Sequence, residues 1–378
     1  MFRRIKMYDI AIIGAGINGC SVAYEFIEEG KSVLLLDKDG IASGGSGAAG
    51  AFISPKFSKS GELKEMLNTA FRYSLSYYET NFPTAFTKSQ LLHIAKDDKD
   101  DAMLREYKEN CEFELLDVDK SVLDSLTVEA KSREHISLNA AIVNAQKVCQ
   151  EMSRGAAFRK EEVTDLYYDD DFWVINDTYS AKEVVLATGA YENVIKEPYI
   201  DVRGIWGHRV DVKTSSQNPC SLHQFVSISK SNDGVLAIGA THNIHYHPQR
   251  NKEPYDIQRG REELLEKAAR TVNLDNVQII KDYVGLRSGS VDYMPLLGKL
   301  IMSNETIASC GNRLQDKRIK YDAFTYYPNL YIINGSGGYG FVLAPYLANI
   351  LKEHIFTDKE IDKSIAPARY FARWARRR

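Results

Sequence analysis

The stretch from residue 9 to residue 37 constrains the fold of this 378-residue chain more than any other. An apolar run at residues 10–13 leads into Gly14, Gly16 and Gly19, which fit G-x-G-x-x-G, and apolar residues then recur at helical spacing. In such a unit the glycines turn the chain, admit a pyrophosphate to the backbone and let the helix lie close to the strand. A second apolar strand ends in Asp37, which can accept hydrogen bonds from a ribose. The order predicts a dinucleotide-binding unit with contacts from Gly14, Gly16, Ile17, Asn18, Gly19, Asp37 and Lys38.

A run of small residues, from Ser43 to Gly50, follows the second strand. Such a loop can pass under a bulky planar ligand, with its amides free to donate to phosphate or ring oxygens. A flexible linker is the alternative, and the position beside the glycine fingerprint favours the ligand-binding interpretation. We therefore expect cofactor contacts from Ser43, Gly45, Ser46, Gly47 and Ala48.

Two later segments repeat the pattern of an apolar strand that ends in small residues. The strand at residues 183–186 runs into Ala187, Thr188 and Gly189. The strand at residues 330–333 leads into a glycine loop and then into a helix at residues 341–351. A second helix N-terminus could stabilise another part of one extended ligand, including negative charge on a reduced ring. The additional predicted contacts are Ala187, Thr188, Gly189, Gly335, Gly337, Gly338, Tyr339 and Gly340.

Arg287 lies in an otherwise apolar stretch, YVGLRSGSVDYMPLLG at residues 283–298. An arginine there is costly to bury without an anionic partner. One interpretation is a planar fork that grips a substrate carboxylate through two parallel hydrogen bonds. The other is an internal ion pair with Asp292.

Composition excludes several other classes of protein. The chain is 44% hydrophobic and 26% charged, as is ordinary for a globular protein of one large or two smaller domains. Its five cysteines are scattered, which favours reduced thiols over a disulfide framework or a zinc site. His242, His245 and His247 lie close together without a recognisable ligand set, so we expect no metal. Asp9 interrupts the N-terminal apolar stretch, and residues 330–351 contain polar residues and four glycines, so we expect neither secretion nor a membrane span.

These blocks, in this order, resemble the FAD-dependent oxidoreductases of the D-amino-acid oxidase and glycine oxidase (DAO) type from about residue 8 to residue 354. The segments at residues 46–55, 70–73, 328–331 and 367–371 are most similar to one branch. That branch is the C-terminal FAD domain of the bifunctional tRNA 5-methylaminomethyl-2-thiouridine biosynthesis proteins. The resemblance implies non-covalent FAD, oxidation of a CH–NH donor and catalytic roles for Arg287 and Tyr339.

The same resemblance implies an α/β fold, with a doubly wound FAD-binding (Rossmann-like) domain and an inserted α+β substrate domain on a mixed or antiparallel sheet. We expect residues 1–85, 137–204 and 325–378 to form the FAD-binding domain. Residues 86–136 and 205–324 would form the substrate domain.

The branch implies removal of the carboxymethyl group from the wobble uridine of tRNA, with release of glyoxylate, in the cytoplasm. The sequence has no counterpart of the branch's methyltransferase domain, which leaves a separate methyltransferase as an expected partner. Two alternatives stay open, namely oxidation of a free amino acid (glycine, sarcosine or a D-amino acid) and a non-catalytic flavin-binding module.

The ends of the chain suggest where tRNA would bind. Formal net charge is −3, but eight basic residues lie at the two ends, and without them the remainder would carry −11. Arginines beside aromatic residues can contact phosphates and stack on unpaired bases of an anticodon loop. The alternative is a solvated or disordered tail. The basic residues are Arg3, Arg4, Lys6, Arg369, Arg373, Arg376, Arg377 and Arg378.

Overall fold

The structure is a computed structural model that describes residues 6–58, 60–192 and 194–378. Its strands form two mixed sheets. The first sheet contains β1 (Lys6–Ile13), β2 (Val33–Asp37), β6 (Ala157–Lys160), β7 (Leu166–Asp169), β8 (Phe172–Ile175), β9 (Tyr179–Leu186), β15 (Leu296–Ile301) and β16 (Tyr326–Asn334). The second contains β3 (Phe52–Ile53), β4 (Phe86–Ile94), β5 (His135–Val143), β10 (Val202–Lys213), β11 (Ser221–His223), β12 (Ser227–Ile228), β13 (Val235–Gly239) and β14 (Gln278–Ser290).

The first sheet has the strand order β15-β16-β9-β1-β2-β6, in which β16, β9, β1, β2 and β6 run parallel. The second has the order β14-β10-β13-β12-β11-β4-β5-β3 and is antiparallel except between β11 and β4. The helices are α1 (Ile17–Glu28), α2 (Glu62–Asn81), α3 (Asp98–Glu109), α4 (Lys120–Ser125), α5 (Val128–Lys131), α6 (Ala145–Met152), α7 (Ile257–Ala269), α8 (Ser303–Cys310), α9 (Gly340–Thr357) and α10 (Ala368–Ala375). Three short 3₁₀ turns lie at Gly311–Gln315, Tyr321–Ala323 and Gly337–Tyr339. The α/β fold with a second mixed sheet is confirmed.

Hydrophobic cores cover both faces of the first sheet, as its near-continuous apolar strands require. On one face, Ile10 and Ile12 of β1 pack with apolar residues of α1, α2, α6 and α9. On the other face, Ala11 packs with a cluster that includes Phe371 of α10. A third core lies between the second sheet and α7, around residues such as Leu264. Within the described ranges, no helix is both long and apolar enough to cross a membrane.

Three strands lie outside the domain that the predicted boundaries give them. One is β3, which falls in residues 1–85 of the expected FAD-binding domain and pairs with β5 in the second sheet. Most of β5 falls in the segment expected to belong to the FAD-binding domain, yet it pairs with β4 and β3 in the second sheet. Conversely, β15 falls in the expected substrate segment and pairs with β16 in the first sheet. The division into two domains stays a prediction, and these strands mark where its boundaries would move.

Candidate active site

The predicted glycine loops meet at one edge of the first sheet because they follow parallel neighbouring strands, β1, β9 and β16. Side chains join the loops. Asn334 donates through Nδ2 to the carbonyl of Gly189 at 2.8 Å. Ser336 donates through Oγ to Oδ1 of Asn18 at 3.4 Å, a contact between residues 318 positions apart. Segments from the two ends of the chain therefore form one wall.

The turn after β1 is too tight for side chains. Gly14 has φ +107°, and a Cβ there would lie 2.3 Å from the carbonyl oxygen of Ala187. A Cβ on Gly19 would lie 1.9 Å from the carbonyl oxygen of Gly14. Real Cβ atoms do not approach so closely, so both positions require glycine for the strand, the loop and α1 to lie together.

The carboxylate of Asp37 organises this turn. One oxygen accepts the N–H of Ala15 at 2.8 Å. The other accepts the N–H groups of Asp39 and Gly40 at 2.9 and 3.0 Å. The first oxygen can still accept a further hydrogen bond, whereas the second already accepts two N–H groups. The side chain can therefore hold the loop and also face a ribose hydroxyl.

A cavity of about 500 Å³ opens where the loops converge. It is lined by the predicted residues Gly14, Gly16, Ile17, Asn18, Asp37, Lys38, Ser43, Gly45, Ser46, Ala187, Thr188, Gly189, Gly337, Gly338 and Gly340. Of the other predicted residues, Ala48 and Tyr339 line a neighbouring cavity, while Gly19, Gly47 and Gly335 line neither. Those three lie behind the surface: a Cβ on Gly47 would lie 2.0 Å from the carbonyl oxygen of Ala42, and Gly335 turns the chain with φ +74°.

The neighbouring cavity measures about 210 Å³ and lies against the second sheet. Most of its wall consists of glycine and alanine, with larger side chains from Phe52, Arg209, His223, Arg287, Tyr339 and Phe341. Both cavities are bordered by Gly45, Ala49, Arg287, Gly338 and Phe341. Arg287 therefore lies where the larger cavity meets the smaller one.

The guanidinium of Arg287 is not engaged by a carboxylate of the described chain. It donates through Nη1 to the carbonyl of Thr241 at 3.1 Å, and burial lowers its pKa. Asp292 instead pairs with Arg369 at 3.0 Å and accepts a hydrogen bond from Tyr370 at 2.8 Å. The prediction of an ion pair between Arg287 and Asp292 is therefore wrong. A partly buried cation without an anionic partner among the described residues is a ready binding group for a carboxylate.

Two glycines that the sequence did not single out place this arginine. Gly207 of β10 faces the guanidinium, and a Cβ there would lie 2.6 Å from Nη2 of Arg287. Gly285 of β14 lies against the small-residue loop, where a Cβ would come within 2.9 Å of the Cα of Gly45. The sequence carries no local pattern for these two glycines, because their contacts depend on the pairing of β10 with β14 and on a loop far away in the sequence.

Tyr339 is positioned by a lysine that the sequence also missed. Lys56, just after β3, donates through Nζ to the Tyr339 hydroxyl at 3.0 Å. The same ammonium lies 5.2 Å from the centre of the Tyr339 ring. The hydroxyl therefore sits beside a positive charge at the wall of the smaller cavity.

The histidines near the site do not form a metal centre. Across the described ranges, no group of three His, Cys, Asp or Glu residues could hold a metal ion. His242 and His245 of the expected cluster are exposed. His223 lines the smaller cavity, and burial lowers its pKa to about 4. His223 thus stays neutral at ordinary pH.

The basic C-terminus is a packed helix, so the alternative of a solvated tail is wrong for this end of the chain. Tyr370, Phe371 and Ala375 of α10 are buried. Arg369 holds Asp292 and the carbonyls of Met294 and Pro295, so it is unavailable to a partner molecule. Arg373, Arg377 and Arg378 are exposed. Arg3 and Arg4 lie outside the described residues.

Comparison with known proteins gives a consistent set of matches. The family described as "FAD dependent oxidoreductase" (DAO) matches residues 9–354. The tRNA 5-methylaminomethyl-2-thiouridine biosynthesis bifunctional protein MnmC of Legionella pneumophila (strain Corby) is 23% identical over 95% of this chain and 56% of its own length. MnmC of Leptospira interrogans (serovar Lai) is 22% identical over 100% of this chain and 62% of its own length. The chain thus spans little more than half of these relatives.

Solved structures share the fold. Glycine oxidase from Bacillus cereus superposes with a TM-score of 0.72 and 19% identity, covering 93% of this chain and 96% of that one. L-Proline dehydrogenase from P. horikoshii gives a TM-score of 0.74 and 17% identity, covering 97% of this chain and 98% of that one. Iminodiacetate oxidase from Chelativorans sp. gives a TM-score of 0.71 and 18% identity, covering 95% of this chain and 98% of that one.

Proposed function

This chain belongs to the DAO family of FAD-dependent oxidoreductases, and we propose that it removes the carboxymethyl group from an N-substituted glycine carried by tRNA. The substrate would be 5-carboxymethylaminomethyl(-2-thio)uridine at the wobble position. The products would be the aminomethyl uridine and glyoxylate.

The residues of the larger cavity fit FAD, the cofactor of this family. The N-terminus of α1 has no acidic residue in its first turn, so its positive dipole end suits a pyrophosphate. Gly189, Gly337 and Gly338 face open space, because a Cβ on any of them would meet no heavy atom within 4 Å. Their wall can therefore lie against a flat ring. The bound flavin supplies the chemistry of accepting a hydride from a carbon next to nitrogen.

The guanidinium of Arg287, which lies at the junction of the two cavities and has no carboxylate partner among the described residues, carries the proposal. A carboxylate bound there would give the cation its missing partner and would place the adjacent carbon at the mouth of the cofactor cavity. The arrangement fixes both position and orientation, which is the main contribution that a protein makes to hydride transfer. A module that only bound flavin would have no use for a partly buried arginine that lacks a carboxylate partner among the described residues, so the non-catalytic alternative is disfavoured.

In the proposed reaction the neutral secondary amine loses a hydride from its glycyl methylene carbon, and its nitrogen loses a proton. The resulting C=N bond then adds water and breaks into a primary amine and glyoxylate. Arg287 holds the carboxylate throughout. Tyr339, whose oxygen accepts from Lys56, keeps its own O–H proton for donation to the substrate. The small residues around the cavity leave room for the nucleoside base.

The tRNA substrate rests on the MnmC relatives, whose name describes tRNA modification. It also implies a cytoplasmic enzyme and a methyltransferase activity that completes the modification. Oxidation of a free amino acid is the competing function, favoured by the structural likeness to glycine oxidase and iminodiacetate oxidase.

Anaerobic flavin reduction separates these functions. The holoenzyme is mixed with tRNA that carries the carboxymethylaminomethyl nucleoside, or with glycine, sarcosine or a D-amino acid, and bleaching of the flavin band is followed. We expect rapid bleaching by tRNA, with one glyoxylate and one aminomethyl nucleoside formed per reduced flavin. Rapid bleaching by a free amino acid together with none by tRNA would reject the proposal in favour of the competing function.

A further inference from the structure

Helix α10 and the three residues that follow it expose arginines, while the other side of the helix is buried. Phe371, Ala372 and Ala375 pack into the core beneath the first sheet. Arg373, Arg377 and Arg378 are exposed, and the Arg378 guanidinium lies 4.8 Å from the centre of the Trp374 ring. The helix is thus a rigid support for positive charge.

A second basic segment, residues 311–320, lies beside this helix. Its 3₁₀ turn, Gly311–Gln315, contacts α10, and Leu314 is buried in the same core as Phe371. Around that buried leucine, the segment exposes Arg313, Lys317, Arg318 and Lys320. Tertiary packing therefore joins two basic segments that lie about 50 residues apart in the sequence.

The two segments form a strongly asymmetric distribution of charge. Residues 311–320 and 370–378 contain eight basic residues and one acidic residue, Asp316, which pairs with Arg318 at 3.3 Å. Since the whole chain carries −3, the rest of it carries −10. Cations near the end of α10 complement the helix dipole, but that effect reaches only the last turn and does not account for the segment at residues 311–320.

We propose that residues 311–320 and 370–378 form one docking surface, the basic surface, for the phosphate backbone of RNA. Clustered arginine and lysine on one face of an otherwise acidic protein is the charge pattern of nucleic-acid binding. The exposed large apolar side chains of the described chain all lie outside both segments. The basic surface therefore has no fully exposed large apolar side chain that would insert into an anionic membrane, since its Trp374 is half-buried and lies against Arg378.

The basic surface lies within reach of a substrate held at Arg287. Arg369, in the first turn of α10, pairs with Asp292, five residues after Arg287. Five residues span at most about 17 Å, and the last turn of α10 lies on the order of 10 Å further along its axis. An RNA whose wobble nucleotide enters the smaller cavity would thus extend its backbone across the basic surface. This inference rests on the proposed function for its choice of RNA.

The test is binding of anticodon stem-loop RNA to the FAD-loaded protein at several salt concentrations. One variant carries Arg373→Gln, Arg377→Gln and Arg378→Gln, and a second carries Arg313→Gln, Lys317→Gln and Lys320→Gln. Removing one cation that neutralises a phosphate lowers the slope of log affinity against log salt by about one. We expect each triple variant to lose up to about three units of slope and about tenfold or more in affinity at low salt.

A matched control carries Lys120→Gln, Lys131→Gln and Lys252→Gln, three exposed lysines that form no ion pair within the described ranges. It loses the same charge elsewhere and should keep nearly the full slope, while all variants should keep FAD and oxidise a small N-alkylglycine at the parent rate. Equal losses in the control and both variants would overturn the basic surface.

The outcomes also separate this inference from the proposed function. If the parent modifies tRNA and the triple variants bind it unchanged, the basic surface is overturned and the function stands. If the parent binds RNA through these residues but never oxidises it, the basic surface stands and the function falls. Failure of the parent to bind RNA, or preference of the basic surface for vesicles of anionic lipid over RNA, overturns the inference.

Discussion

Gly207→Ala tests the role of Arg287 without removing the arginine. The new Cβ would lie 2.6 Å from Nη2 and 2.7 Å from Cζ of Arg287. Because these atoms end a flexible side chain, the guanidinium can move aside and the strands β10 and β14 can stay paired. The substitution should therefore displace the charge while leaving the fold and the cofactor cavity intact.

The size of the displacement sets the expected effect. An ordinary contact needs 3.4 Å or more, so the guanidinium must shift by about 1 Å. A misplacement of about 1 Å in a positioning group can cost 10²-fold in rate. That factor corresponds to about 2.7 kcal/mol of transition-state stabilisation. We expect the loss in kcat/KM of Gly207→Ala to approach that of deleting the side chain.

The assay compares kcat/KM for an N-alkylglycine with that for its uncharged amide. If Arg287 grips the carboxylate, Gly207→Ala should reduce turnover of the acid about a hundredfold and should change that of the amide little. Gly289→Ala is the matched control, since its Cβ would meet Ile205 and not the guanidinium. FAD content and thermal stability should be the same in both variants.

Two results would refute this reasoning. A folded Gly207→Ala protein that oxidises the acid at the parent rate would show that the position of the guanidinium is irrelevant to the substrate. An equal loss for the acid and the amide would show that the substitution acts on something other than carboxylate binding.

Three further perturbations test other parts of the site. Arg287→Ala should leave FAD bound but cost about 3 kcal/mol or more in transition-state stabilisation, and Arg287→Lys should recover little of it; unchanged kinetics in both would assign Arg287 a structural role. Acid precipitation of the parent protein should release intact FAD to the supernatant. The Gly14→Ala variant should purify with little flavin, because its Cβ would meet the carbonyl of Ala187 at 2.3 Å. A yellow Gly14→Ala protein would contradict the tight turn. Burial holds the pKa of His223 at about 4, below its value of about 6.5 in the unfolded chain. Between these two values only the unfolded chain binds a proton on this imidazole. The free energy of unfolding should therefore fall by roughly 2 kcal/mol for this residue as the pH drops from about 6.5 to 5. In denaturant titrations at several pH values, His223→Gln should remove this residue's share of the pH dependence of the free energy of unfolding. Burial raises the pKa of Glu183 to about 7, which changes the free energy of unfolding in the opposite direction, equally in the parent and in the variant.

The cofactor cavity could be predicted from the sequence because its elements are local. A turn such as the one at Gly14 joins a strand to a helix that follows directly, so its glycines and its acidic partner Asp37 lie within one short stretch. The same holds for the loops after β9 and β16. Parallel strands then bring their ends to one edge without any further information.

The substrate side could not be predicted in the same way because its contacts join distant segments. Gly207 faces Arg287 only through the pairing of β10 with β14. Asp292 was one expected partner for Arg287 because it is near in sequence, yet Arg369, 77 residues away, takes it. Lys56 reaches Tyr339 across 283 residues. Such pairs carry no local pattern.

The sequence by itself predicted a nucleotide-binding cavity at the ends of parallel strands, because backbone sterics act between near neighbours. The tertiary structure alone decided that Arg287 has no carboxylate partner among the described residues, since Asp292 pairs with Arg369. It also decided that the C-terminal arginines lie on or directly after a packed helix beside residues 311–320. Charges and side chains find their partners by proximity in space, and for these residues the fold sets that proximity through long-range strand and helix packing.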